Sequence, residues 1–372
     1  METRDLLFGL QEIQGIGWKS IDKIRRAGFL TEKAFSCCKQ DWEKIGLGDK
    51  MSTLLAETFT RDWISARHFL MKESGIAMIT VLDPDYPSLL QETAQPPWVL
   101  YYRGSLELLS RPTIAMVGTR IPTAYGRKVG GMLAEALSAA GLTVVSGLAR
   151  GIDSICHEAA LGGRGGTIAV VATGLDKVYP PENRELERQI AATGLVLSEY
   201  AIGTPSHPGL FPQRNRIIAG LALGTVVVEA DSRSGSLITA DSAMEAGRDV
   251  FAVPGPITSP KSRGALELIK QGAKLVTGSE DILEEYRSFL QQTSAGQGLG
   301  DAKPLGSEDM LTEKKLTREE SRLYHILHQG PFSLDELLER TRWDFGHLHS
   351  VLLSLIIKKA VSQLPGAIYK VI

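Results

Sequence analysis

Cationic and hydroxyl side chains flank an apolar strand in residues 211–255, which read FPQRNRIIAGLALGTVVVEADSRSGSLITADSAMEAGRDVFAVPG. Arg214, Arg216 and Arg233 bring positive charge, Ser232, Ser234, Ser236 and Thr239 bring hydroxyls, and Gly235 removes side-chain bulk. The spacing predicts an arginine-rich loop, a buried strand and a hydroxyl-rich helix start. Backbone N–H groups in the first turn of a helix have no intrahelical partner, so such a unit is suited to hold an anion, phosphate above all.

The strand that must carry this loop is 224–230, β-branched and apolar at alternate and intervening positions alike, as in a parallel sheet covered on both faces. From Thr113 onward similar runs alternate with helical patterns: IAMV, LTVVS, TIAVVA, LVLSEY, TVVVEA, VFAVP and KLVT. The pattern predicts an α/β fold, a Rossmann-like doubly wound parallel sheet with helices on both faces. Strand-to-helix loops of such a sheet open on one edge, so residues far apart in sequence converge there. That edge collects Arg120, Arg150, Lys177, Arg214, Arg216 and Arg233, with Lys261 and Arg263 in a later loop. Guanidinium forks engage phosphates bidentately, and helix-terminal amides add neutral donors. Glu199, Glu229, Asp231 and Asp153 fall on the same edge; Arg150 and Arg214 are the first candidates to pair with them, and Arg120, Lys177 and Arg216 the first to meet a ligand. Gly118, before Thr119 and Arg120, is expected to let a ligand approach the backbone, as are Ser146, Gly147 and Gly151 one loop on. Asn215 either bonds a phosphate or sugar or closes its own loop. Phe211 either plugs the loop onto the sheet or offers its ring to an unstacked base, a contact of ~1–3 kcal/mol. The glycine-rich tract at 161–170 precedes a strand, so it is expected on the opposite edge as a helix-to-strand turn.

VGTR at 117–120, SGLARGID at 146–153, FPQRNRIIAG at 211–220 and EADSRSGSLITA at 229–240 together resemble the DNA-processing protein A (DprA/Smf) family, most densely over residues 79–277. The resemblance implies a protein that binds single-stranded DNA and helps load the RecA recombinase during natural transformation and recombination, in the cytoplasm and as a homodimer. It favours the base-contact reading of Phe211. It implies a DNA site comprising Gly118, Thr119, Arg120, Ser146, Gly147, Lys177, Phe211, Arg214, Asn215, Arg216, Ser234, Gly235 and Ser236, with no cofactor or metal. Dimer pairing is expected near residues 265–276, the last helix and edge strand of the sheet.

The formal net charge of −2 argues against a generally basic nucleic-acid coat and requires any DNA site to be a local patch. No apolar run approaches the ~20 residues that span a bilayer, so no membrane partner is expected. Cys37, Cys38 and Cys156 suit neither a disulfide framework nor a zinc site. At 372 residues several units are expected. Residues 1–71 read as short helices, a helix-hairpin-helix or SAM-like unit with a turn at Gly15-Ile16-Gly17 and a second copy around Gly46 and Gly48. Its turns either contact phosphate or serve packing alone. Residues 72–286 hold the core with an extended lead-in, 287–310 a flexible linker rich in Gly and Ser, and 311–372 three helices and a hairpin around Pro365-Gly366, a winged-helix pattern. Its third helix begins near Asp344 and carries few cations, which makes duplex reading a weak expectation.

An enzyme is the rival class. The core is similar to nucleotide phosphoribohydrolases with the signature PGGxGTxxE. Placing Gly235-Ser236 over its Gly-Thr puts Thr239 where the catalytic glutamate belongs, and Asp231 to Ser234 replace the PGG. No histidine stands in a convincing relation to Ser146 or Ser236, and GxGxxG is missing after the first strand of the core, so binding is expected in place of catalysis.

Overall fold

The computed structural model describes residues 1–287 and 289–290 and, in the C-terminal part, 317–371 except 329, 331, 359–360 and 365–367. The chain forms two compact units, 1–297 and 298–372. Among the described residues no helix is long and apolar enough to cross a membrane.

The first unit opens with five helices, α1 (Thr3–Glu12), α2 (Trp18–Arg26), α3 (Lys39–Lys44), α4 (Asp49–Thr58) and α5 (Arg61–Glu73). The α1–α2 and α3–α4 turns are built alike. Gly15 and Gly46 take positive φ, Ile16 and Leu47 are buried, and Gly17 and Gly48 are the N-caps of α2 and α4. The lead-in is less extended than its prolines suggest: β1 (Ala77–Thr80) and β2 (Val99–Gly104) flank the short helix α6 (Ser88–Gln91). Seven strands follow, β3 (Thr113–Val117), β4 (Thr143–Ser146), β5 (Thr167–Val171), β6 (Leu195–Ser198), β7 (Gly224–Val227), β8 (Asp249–Ala252) and β9 (Lys274–Leu275). They alternate with α7 (Ala124–Ala139), α8 (Ile152–Ala160), α9 (Arg184–Thr193), α10 (Leu210–Leu221), α11 (Gly235–Glu245) and α12 (Arg263–Lys270), and α13 (Glu280–Leu283) closes the unit.

The nine strands form one sheet in the order β1-β2-β6-β5-β4-β3-β7-β8-β9. β3 to β9 are parallel as expected; β1 and β2 add an antiparallel margin on β6 that the sequence reading does not contain. Side chains of a strand alternate between faces, and the core divides accordingly. Ile114, Met116, Val144 and Val226 lie under α7 and α8, while Ala115, Val117, Val145 and Val227 lie under α10, α11 and α12. The chain winds outward through β4, β5 and β6, then returns beside β3 to make β7. At that reversal the loops after β3 and β7 part toward opposite faces and leave a crevice, the usual ligand position in a doubly wound sheet. The glycine-rich tract does lie at the other edge, where Gly165 N–H donates to Ser138 and Val144 N–H to Gly166.

In the second unit, helices Arg318–Leu327, Leu334–Thr341 and Phe345–Ile357 pack around Leu323, Leu337, Leu348 and Leu352. Strands Val361–Leu364 and Ile368–Val371 pair antiparallel, and the two-residue strand Phe332–Ser333 extends them to a three-stranded wing. The first two helices begin with reciprocal capping boxes, Thr317 with Glu320 and Ser333 with Glu336. The expected turn at Pro365-Gly366 and nearly all of the expected linker lie outside the described residues.

Candidate nucleic-acid interface

A cleft of about 680 Å³ opens at the C-terminal ends of β3 and β7. Gly118, Thr119, Arg120 and Ile121 line it from the loop after β3, and Asp231, Arg233 and Ser234 from the loop after β7. Phe211, Arg214 and Asn215 enter from α10, Gly235, Ser236 and Thr239 from α11, and Lys261 from beyond β8. Residues separated by more than a hundred positions thus share one cavity, as the sheet topology requires.

Among the helices that start at this edge, α7 and α8 have carboxylates of the chain itself at their N-termini. Glu229 receives the Thr123 N–H at 2.8 Å and its hydroxyl at 2.7 Å, at the cap of α7. Asp153, in the first turn of α8, accepts from the N–H groups of Gly147 (3.2 Å) and Ala149 (3.4 Å). α11 has no acidic residue in its first turn; Ser234 caps it, and the Ser234 and Ser236 hydroxyls lie 2.7 Å apart. Its positive end faces the cleft, where it is available to an outside anion.

The glycines divide in the same way. A Cβ on Gly118 would meet Ile152 and Glu229, and one on Gly147 would strike the Arg214 guanidinium, so both are small because protein packs against them. Gly118 nonetheless lines the cleft and Gly147 does not, while Gly235 lines it with nothing within 4 Å of its missing side chain.

The arginines are sorted differently from the sequence reading. Arg216, expected at the ligand, points away from the cleft. It grips the buried Glu199 carboxylate at 2.5 and 2.6 Å and donates to the Gln95 carbonyl at 2.7 Å. The cause is helical. FPQRNR is not a loop but the first turns of α10, tolerant of Pro212 because a first-turn residue needs no N–H partner, so residues 214 and 216 point to different sides. Arg214 is buried and donates to the carbonyls of Gly147 and Val170, and its Nε has no partner among the described residues. Burial raises the Asp153 carboxyl, opposed by Arg214, the two loop amides and Arg120; burial lowers Arg214. Arg150 pairs with Glu182 at the surface. Lys177 is exposed, 3.5 Å from Asp176, and is not part of the cleft wall. Ser146 is buried and donates to the Met116 carbonyl at 2.6 Å, so it too is withdrawn from the site.

Arg120, Arg233 and Lys261 remain as cleft cations without an ion pair among the described residues. The Arg120 guanidinium carbon lies 5.3 Å from the centre of the Phe211 ring, which itself lies 5.6 Å from the ring of Tyr179. Tyr179 is a member of the site that sequence reasoning missed; its only signal is an aromatic before the prolines of DKVYPPEN. Asn215 reaches neither its own loop nor open solvent alone: its Nδ2 donates to the Gly235 carbonyl at 3.2 Å, joining α10 to the start of α11. The loop after β4 is held from behind. Thr167 gives its hydroxyl proton to the Val144 carbonyl and so accepts from His157 Nδ1, which leaves His157 Nε2 to accept the Leu148 N–H. Burial, then Arg214, push this imidazole down to about 3. Leu148 takes a left-handed φ of 55° in this loop.

Residues 77–287 match the family DNA recombination-mediator protein A, and residues 308–367 match the DprA winged helix domain. The chain is 40% identical to protein Smf of Synechocystis over 385 aligned residues, 96% of each chain. It is 49% identical to the DNA processing protein DprA of Streptococcus pneumoniae over 60% of this chain and 79% of that one. The X-ray structure of the Streptococcus pneumoniae protein superposes with a TM-score of 0.67 at 40% identity, covering 77% of this chain and 99% of that chain. DNA processing protein A of Helicobacter pylori, whose structure describes a single-stranded DNA binding mode, superposes with a TM-score of 0.53 at 31% identity, covering 57% of this chain and 96% of that one. With its parallel core and its winged-helix domain both matched, the chain belongs to the DNA recombination-mediator protein A family.

Proposed function

We propose that the cleft binds single-stranded DNA through its phosphates, with little sequence preference, and that the bound protein helps RecA assemble on that strand. The observation that carries the first part is the convergence of Arg120, Arg233 and Lys261 on the free N-terminus of α11 beside the Phe211 ring. Cations and amides serve the backbone, and an aromatic ring serves a base that is not paired. A duplex keeps its bases stacked inside and cannot use the ring. The Helicobacter pylori relative supports the choice of ligand. The RecA step follows from family membership, as does a homodimer, for which the exposed strand β9 and the neighbouring α12 offer an edge.

A binding protein suits the cleft better than an enzyme. Asp153 is occupied by loop amides and the neighbouring Glu229 by Thr123, so neither is free for proton transfer, and Asp231, the other carboxylate of the cleft wall, accepts from the Ser232 hydroxyl. Fluorescence anisotropy across a salt series tests the proposal. Single strands should bind more tightly than duplex, and Arg120→Ala should weaken binding about tenfold while reducing the slope of log K against log salt by about 0.7, one phosphate contact on a single strand. Equal affinity for both forms, insensitive to Arg120→Ala, would remove the cleft as the DNA site. Light scattering at micromolar concentration checks the dimer, and a monomer there counts against it.

A further inference from the structure

Ile257 and Ile121 are the most exposed large apolar side chains among the described residues, at 84% and 76%. Ile121 follows Arg120 in the cleft wall, and Ile257 precedes the Lys261 that lines the other side. The two loops are held together: the Tyr125 hydroxyl, at the start of α7, donates to the Pro254 carbonyl at 2.8 Å. From there an exposed stripe continues along α7 through Tyr125, Lys128 and Met132, positions related by i, i+3 and i+7 and therefore on one face, spanning about 10 Å. Among the described residues, Tyr125 alone of these three has a hydrogen bond from this face, to Pro254.

Contiguous exposed apolar groups mark an interaction surface. The chemistry of the stripe selects the occupant. Its apolar groups are interleaved with cations, Arg120 next to Ile121, Lys128 between Tyr125 and Met132, Lys261 after Ile257. Protein-binding surfaces are depleted in lysine at their centre. Surfaces for single-stranded nucleic acid alternate charge for phosphates with rings and branched aliphatic groups for bases, and isoleucine and methionine are among the side chains that lodge between base steps. We infer that this ledge, from Ile121 and Ile257 past Tyr125 to Met132, carries the unstacked bases of the strand as it leaves the cleft, so that the DNA path continues along α7. The inference rests on reading the cleft as the DNA site.

The test uses the full chain, a labelled oligothymidylate, and an abasic deoxyribose-phosphate oligomer of equal length that keeps the charges and lacks the bases. The variants are Ile121→Ser with Ile257→Ser, and Met132→Ser; all three positions are exposed, so the fold is not at stake. The isoleucine pair should weaken oligothymidylate binding about fivefold or more, and by more than it weakens abasic binding, since Ile121 also lines the cleft; Met132→Ser should weaken oligothymidylate binding by less and leave abasic binding and the salt slope unchanged. Equal loss on both oligomers, or no loss on either, overturns the ledge, and the second result would leave a protein partner as the occupant. Arg120→Ala keeps the two readings apart. If it weakens both oligomers while the isoleucine variants weaken neither, the ledge alone fails; if it weakens neither, the cleft fails first.

Discussion

Arg214 and Arg216 sit two positions apart in one motif and do unrelated work, which bears directly on how substitutions in it should be interpreted. Arg216 neutralises Glu199, a carboxylate that burial raises and Arg216 pulls back down. Arg216→Ala strands that charge, and breaking a buried pair by removing one partner costs ~3–5 kcal/mol. Urea denaturation should show that loss, whereas the salt slope of DNA binding measured below the unfolding midpoint should not change. A reduced slope at wild-type stability would restore Arg216 to the DNA site. His157 makes a second residue-scale prediction. Its ring titrates near 6.5 when unfolded and at about 3 when folded, so between those values the unfolded chain binds the extra proton. Stability is therefore complete above about pH 6.5 and declines as the pH falls toward 3. Asp153 and Glu199, raised by burial, oppose the trend in the carboxylate range, and Glu187, pushed by burial up to about 7, opposes it sooner, so the His157 contribution is best measured between about pH 7 and about pH 5.5 in a Glu187→Gln background. A urea midpoint constant over that interval would mean that the ring is not held neutral.

At the scale of elements, the site is an arrangement of helix ends. The N-termini of α7 and α8 lie against carboxylates of the chain, and the first turn of α11 carries none. Two glycine substitutions separate building the site from using it. Gly147→Ala places a methyl group where the Arg214 guanidinium lies, so about 1–3 kcal/mol of stability should be lost together with DNA affinity. Gly235→Ala meets open space, improves helix propensity and should leave thermal stability intact or slightly raised, yet it puts a methyl group at the mouth of the cleft and should weaken DNA binding several-fold. Thermal melts paired with anisotropy distinguish the two. A Gly235→Ala protein that binds normally would show that phosphate does not approach the α11 backbone.

For the whole molecule, the N-terminal helices are packed into the sheet's own core. Trp18 stacks on Trp98 at 5.4 Å, each indole donating to a main-chain carbonyl across the contact, Trp18 to Pro96 and Trp98 to Trp18. Glu12 accepts from the Tyr101 hydroxyl at 2.5 Å and pairs with Arg67, so a buried carboxylate on α1 is satisfied jointly by β2 and α5. A chain starting at residue 72 would expose Trp98 and leave Tyr101 without its acceptor. It should be markedly less stable and prone to associate, by urea titration and size-exclusion chromatography, whereas a chain ending at residue 290 should keep the single-strand affinity of the full protein. Loss of that affinity on removing the winged-helix unit would mean that the first unit holds only part of the site.

The parallel core was legible in the amino-acid sequence because it rests on local pattern. Strands such as IAMV and TVVVEA are apolar on both faces, the helices between them are amphipathic, and turn residues separate the two, so periodicity alone placed seven strands and the edge where their loops meet. Composition likewise identified the serine-rich start of α11. The antiparallel margin escaped because β1 and β2 are short, lie among prolines, and owe their pairing to a strand nearly a hundred residues further on. The division of the arginines escaped for a related reason. Whether a guanidinium meets a carboxylate, a carbonyl or solvent depends on which side of α10 it leaves and what the fold has put there. Charge and spacing marked the edge that would gather cations, and only tertiary packing, by burying Arg214, pairing Arg216 with Glu199 and leaving Arg120 over Phe211, decided which of them stay unpaired in the cleft.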